Sequence, residues 1–167
     1  MVEQNQIFSS NLKFTGIFTF SDFYKFCYDW LAEEIGLDVA EEKYGEKIKV
    51  DEKEIKAEWV GTKKMTDYFQ FKMKVKFDLK MLKTVEIVKN GKKIKTNDGE
   101  VKVDVKGILV RDYQSKFEKT ASLKFLRSIY EKWVIPSQIE QFEDKIFGDC
   151  DEFLAQAKSW LDMAGNR

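Results

Sequence analysis

The chain has 167 residues and no net formal charge, with 43% hydrophobic and 35% charged residues, no His, two Cys and one Pro. Such a length suits one domain that buries roughly 70% of its unfolded surface, and 14 Phe, 6 Tyr and 4 Trp are enough core material to exclude disorder. Without His there is no imidazole acid–base pair, no Ser-His-Asp or Cys-His arrangement and no His-ligated metal.

Residues 6–20 place Leu12, Phe14, Phe18 and Phe20 on one face at period two, which predicts a strand. Ser21 is placed as a helix N-cap with Asp22 in the first turn. Phe23, Cys27, Trp30, Leu31 and Ile35 then recur at helical spacing until Gly36, predicting a helix over 22–35. A polar, charge-rich connection containing Gly45 leads to a second alternation at Ile55, Ala57 and Trp59, stopped by Gly61.

From Tyr68 to Met81 the apolar residues Phe69, Phe71, Met73, Val75, Phe77, Leu79 and Met81 alternate with polar ones. This is the pattern of a long strand with one wet face, hence of an antiparallel sheet covered on one side. Val85–Lys89, Asn90-Gly91 and Lys92–Lys95 read as a two-residue hairpin, since a type I′ turn needs positive φ at both central positions. A further turn is expected at Asp98-Gly99. Val101, Val103 and Val105 then open a strand whose phase changes at Gly107, where a β-bulge is expected, and which ends near Asp112.

The last third is helical in pattern. Thr120 is placed as the cap of a helix that turns Leu123, Leu126, Ile129, Tyr130 and Trp133 inward, and Pro136 ends it. Ser137 and Glu140 have capping-box spacing, and the helix they open carries Ile139, Phe142, Ile146, Cys150, Phe153, Ala157 and Trp160 at steps of three and four. The sum is a single α+β domain over 1–167. It has an antiparallel meander of about six strands, an N-terminal helix and two C-terminal helices, the last one long, packed on one face.

This element order is similar to the helix-grip architecture of the START and plant-pollen-allergen superfamily. The likeness implies a curved sheet wrapped around a long C-terminal helix, with an apolar cavity between them. The segments Asp67-Tyr68-Phe69, Lys89-Asn90-Gly91-Lys92-Lys93 and Ile135-Pro136-Ser137-Gln138-Ile139 resemble small archaeal α+β proteins that carry no assigned function.

Three groups of residues are candidates for binding. Phe23, Tyr24, Phe26, Tyr28, Trp30 and Leu31 leave the first helix apolar nearly all round, so other helices or another chain must cover it, and self-assembly or a protein partner is the leading expectation. Trp59, Phe71, Phe77, Phe142, Phe153 and Trp160 could line a pocket for an apolar small molecule between sheet and long helix. The third group is electrostatic. Residues 63–95 hold 11 basic and 3 acidic side chains, against 7 and 13 in residues 1–62. Within that basic stretch Lys72, Lys74, Lys76, Lys80, Lys92 and Lys93 form a ladder that a phosphate backbone would attract. A solvated face is the preferred reading of the ladder, because the aromatics fall on the opposite parity and Glu54, Glu58, Glu86 and Asp104 can neutralise it.

Cys27 and Cys150 lie far apart in apolar helical patterns and read as buried packing thiols. Asp144, Asp149, Asp151 and Glu152 do not match a calcium loop. Gly-rich phosphate loops and nucleophile elbows are absent from the sequence. The expectation is a non-enzymatic protein with no catalytic residue, metal or cofactor. With no run near 20 apolar residues and no basic-then-apolar N-terminus, it is also expected to be soluble and cytoplasmic.

Overall fold

The computed structural model describes residues 3–111, 113, 121–129, 132 and 136–165. Its strands are β1 (Glu3–Phe18), β2 (Asp38–Ile48), β3 (Lys53–Lys64), β4 (Phe69–Lys89) and β5 (Lys92–Arg111). Its helices are α1 (Phe20–Asp29), α2 (Ala121–Ile129) and α3 (Pro136–Gly165). All five strands pair antiparallel in one sheet, ordered β1-β5-β4-β3-β2. The α+β class expected from the sequence is therefore present, with five strands among the described residues rather than about six.

One expected turn and one expected loop are absorbed into this sheet. Tyr68–Met81 and Val85–Lys89 belong to a single strand of 21 residues, and Lys92–Lys95 and Val101–Asp112 largely to another of 20. Asp98-Gly99 is not a turn. The ladder passes from Lys80↔Glu100 to Lys83↔Asp98, so Met81 and Leu82 together face Gly99 in a bulge, with Met81 at φ 52°. A Cβ on Gly99 would lie 2.9 Å from Leu82 Cα, so glycine is needed there for close backbone approach. The bulge also turns Met81 out to solvent and puts Leu82 in the core in its place. A sequence reader sees the same phase change as a strand end.

The charge-rich stretch before residue 50 is the edge strand β2, whose own bulge, between Glu41 and Lys43, hides its alternation. The bulge expected at Gly107 lies instead on the neighbouring strand: Gln6 pairs with Ile108 and Phe8 with Gly107, leaving Ile7 as the extra residue. Gly107 serves helix packing, since a Cβ there would stand 2.7 Å from Cys150 Sγ of α3. The apparent phase change arises because Ile108 and Val110 are buried on the sheet's other face while Leu109 continues the main core. Asn90 and Gly91, at φ 52° and 78°, form the expected left-handed hairpin turn.

Helix α1 begins at Phe20, two residues before the expected start. Thr19 occupies the cap position without a side-chain cap bond, and Asn97 Oδ1 of β5 accepts the Phe20 N–H at 2.9 Å. The helix runs on through a π-helical segment, Trp30–Ile35, to Gly36 at φ 82°, where Leu37 N donates to Leu31 O. On α3 the residues Ile146, Cys150, Phe153, Leu154, Ala157 and Leu161 are buried against β1 and β5, close to the expected stripe. Pro136 occupies the first position of that helix, where its missing N–H costs nothing.

Helix α2 differs most from expectation. None of its residues is buried, and Leu126 and Ile129 are exposed rather than turned inward, with Phe125 exposed beside them. It is tied down through Arg127, whose Nε donates to Tyr68 Oη at 2.8 Å and whose Nη2 stands 3.2 Å from Glu3 Oε1. Thr120, Tyr130 and Trp133 lie outside the described residues.

Candidate functional site

The helical period splits the apolar surface of α1 into two stripes. Phe23, Cys27 and Leu31 point into the core and are fully buried, so Phe23 and Leu31 offer no surface to a partner. Phe26 and Trp30 are partly buried, with Phe26 stacked on Trp160 of α3 at 6.0 Å. The cover that an all-round apolar helix requires thus comes largely from α3 and the sheet. Phe20, Tyr24 and Tyr28, spaced at i, i+4, form the second stripe and look toward the sheet edge made by β3 and β2.

Between that stripe and the edge lies an open groove of about 880 Å³. Tyr24 and Tyr28 wall it from α1, with Lys25 and Asp29 beside them; Glu41, Tyr44 and Glu46 wall it from β2, and Lys53 and Trp59 from β3. The bulge in β2 makes this wall. Glu41 pairs with Trp59, Tyr44 with Ala57 and Glu46 with Ile55, so odd and then even residues of β2 share the parity of the buried β3 face.

The rings meet at angles that suit aromatic contact. Tyr24 and Trp59 have centroids 4.6 Å apart, Tyr24 and Tyr44 6.0 Å at 71°, and Tyr28 and Trp59 5.9 Å at 87°. A hydrogen-bond chain fixes them: Trp59 Nε1 donates to Tyr24 Oη at 2.7 Å, and Tyr24 Oη donates to Glu41 Oε1 at 2.5 Å. Tyr44 Oη donates to Glu46 Oε1 at 2.8 Å. Both carboxylates are thereby held at the phenol ends of the rings in the groove wall. Burial, then the bond to Glu41, raises the Tyr24 phenol well above the ordinary range, and burial with the Glu46 bond pushes Tyr44 up to about 12. Neither phenol ionises near neutrality, so both remain donors. Lys53 Nζ stands 3.7 Å from Glu46 Oε1, and a cation therefore already sits at the groove's mouth.

The six residues proposed to line an interior pocket all lie in or against the core. Phe71, Phe77 and Phe153 are fully buried in the packed core, Phe142 packs on Phe69 at 5.3 Å and Trp160 on Phe23 at 5.5 Å. Trp59 touches Phe77 at 4.7 Å and is the member of the set that borders the outer groove. The six lysines are also divided. Lys72, Lys74, Lys76 and Lys80 stand on the sheet's outer face, where Lys76 Nζ is 3.5 Å from Glu58 Oε1 and Lys80 is paired in register with Glu100. Lys92 and Lys93 lie at the far hairpin turn.

Cys27 and Cys150 are free and buried. Burial holds the Cys27 thiol well above its usual value, and burial with the nearby Asp149 charge pushes Cys150 up to about 12. Among the described residues no group of three or more Cys, Asp or Glu is placed to hold a metal ion, and no helix is long and apolar enough to cross a membrane. Comparison with known proteins finds no matching family model, no matching curated protein and no matching solved structure.

Of the groove's wall, sequence reasoning reached Tyr24, Tyr28 and Trp59 and missed Glu41, Tyr44, Glu46 and Lys53. The signal was present in Tyr44, Glu46 and Ile48, which alternate with Lys43, Gly45 and Lys47. It was obscured because the inward parity of β2 carries carboxylates and breaks at the bulge.

Proposed function

We propose that this protein is a non-enzymatic binding module, and that the groove between α1 and the β2–β3 edge receives a cationic side chain from a protein partner. The observation that carries this reading is the convergence of Tyr28 and Tyr44, both exposed, with Glu41 and Glu46 in one open groove whose base is the partly buried Tyr24 and the buried Trp59. Ring faces attract arginine or methylated ammonium groups, by about 0.5–2 kcal/mol depending on how far water is excluded. Two carboxylates held by phenol hydroxyls supply the countercharge without competing for the rings. The site lies against β2, the edge of the sheet, so an extended partner can add its backbone there while an alternate side chain enters the groove. Phe71, Phe77 and Phe153 are fully buried in the core, which favours this outer groove over an interior apolar site.

Tryptophan fluorescence titrated with acetyl-trimethyllysine-amide and with acetyl-arginine-amide tests the reading. A saturable change that Trp59→Phe removes and Tyr44→Ala weakens by about 2- to 30-fold, the span of a cation–π contact, is the expected outcome. No change with either cation, or one that survives Trp59→Phe, would refute it.

A further inference from the structure

We propose that the hairpin from Lys83 to Thr96 is an arm that enters the major groove of duplex DNA, a role separate from that of the aromatic groove. Its geometry sets it apart from the sheet. The partners of β1 on β5 stop at Asn97 and the partners of β3 on β4 stop at Leu82, so Val85–Lys89 and Lys92–Thr96 pair with each other and with no other strand, while Lys83 and Thr84 form the arm's base opposite Asp98 and Asn97. Five residues of strand at 3.4 Å each make a ribbon about 17 Å long. A solitary two-stranded ribbon is marginal in water, and this one is held by the cross-strand pair Ile87↔Ile94 and by the left-handed turn at Asn90-Gly91.

The arm's chemistry differs from that of the outer sheet face. Residues 83–96 carry five lysines and one acid, Glu86. Lys89 and Lys92 pair on one face of the ribbon, and Lys93 and Lys95 stand on the other, so both flanks are basic. Among the described residues none of the five forms an ion pair; on the sheet face Lys76 is paired with Glu58, and Asp78, Glu100 and Asp104 also stand among the lysines. Val88, on the Lys93 face, is 70% exposed with nothing packed over it. B-form DNA matches each of these features. Its major groove admits a two-stranded ribbon, its two phosphate walls take lysines from both flanks, and thymine methyl groups offer an apolar floor for Val88. The deep, narrow major groove of an RNA duplex would not admit the ribbon.

The test is fluorescence anisotropy of a labelled duplex of about 20 base pairs, titrated with the full chain at several salt concentrations. If all five lysines neutralise phosphates, the logarithmic salt slope is about −4.5, a fall in affinity on the order of 500-fold between about 50 and 200 mM salt. Lys92→Gln with Lys93→Gln should flatten the slope to about −2.7, or on the order of a 40-fold fall. Lys72→Gln with Lys74→Gln on the sheet face should leave it unchanged. Far-UV circular dichroism checks that each variant is folded. Four results would overturn the proposal: no complex at about 50 mM salt, where the electrostatic attraction is strong; an equal loss from the sheet-face variant; equal affinity for an RNA duplex; or binding to vesicles of one part phosphatidylserine to three parts phosphatidylcholine without binding to DNA.

Discussion

Gly107→Ala tests how closely the long helix lies on the sheet. The new methyl carbon would fall 2.7 Å from Cys150 Sγ and 2.9 Å from Ile146 Cγ2, about 1 Å inside ordinary contact. Neither neighbour can retreat freely, because both are fully buried and α3 is fixed further along by Phe153, Ala157 and Leu161. Overpacking of this kind costs about 1–3 kcal/mol, which for a chain this size lowers Tm by about 2–12 °C. Cys150→Ala alone should cost about 1 kcal/mol through the space it leaves. In the double variant the methyl group added at position 107 refills that space, so the combined loss should fall short of the sum by about 1–2 kcal/mol. Recovery is partial because the Ile146 contact remains. Urea unfolding of the four proteins measures the cycle, with Gly148→Ala as a control, since nothing lies within 4 Å of its added carbon. A neutral Gly107→Ala, or strict additivity with Cys150→Ala, would show that α3 does not seat on β5 as described.

Absorbance titration of the phenols should show ionisations above the ordinary tyrosine range, one of which is lost in Tyr24→Phe and another in Tyr44→Phe. Because both values are raised in the folded state, their contribution to stability is complete below pH 10 and is lost as pH climbs through the folded values, so urea midpoints should fall above pH 10. Glu41→Gln should lower the Tyr24 value only in part, since burial is the larger cause. Asn97→Ala removes the acceptor for Phe20 N–H and should cost about 0.5–2 kcal/mol, as loss of a helix cap does, although the residue lies 77 positions away in sequence. Gly99→Ala should destabilise by at least as much as Gly107→Ala, because its clash is with backbone at Leu82 and Met81 rather than with side chains; unfolding midpoints decide both.

Strict periodicity made part of this fold legible. The alternation Phe69 to Leu79 defined the middle of the sheet, Asn90-Gly91 defined the hairpin, and the stripe from Ile146 to Ala157 defined the inner face of α3. Bulges defeated the rest. At Met81 and Leu82, and again at Glu42, the chain stays in the sheet while its parity shifts, and local sequence cannot distinguish that from a turn. The cap on α1 comes from β5, and a local scan for Ser or Thr could not find it. Half of the aromatic groove was readable as an excess of tyrosine on α1. The other half depended on β2, whose inward carboxylates look like loop composition until Tyr24 and Tyr44 are seen to hold them.

The most direct test of the binding site is calorimetric titration with a trimethyllysine peptide and with its uncharged carbon isostere, two ligands equal in shape that differ in charge alone. The expected result is tighter binding of the cation by about 2- to 30-fold, equivalent to about 0.5–2 kcal/mol of attraction to the rings. That advantage should shrink in the Glu41→Gln, Glu46→Gln double variant, which keeps the shape of the groove and removes two of its three carboxylate charges. Equal affinity for the two peptides, or an advantage indifferent to both glutamates, would contradict the reading of the groove as a cation site.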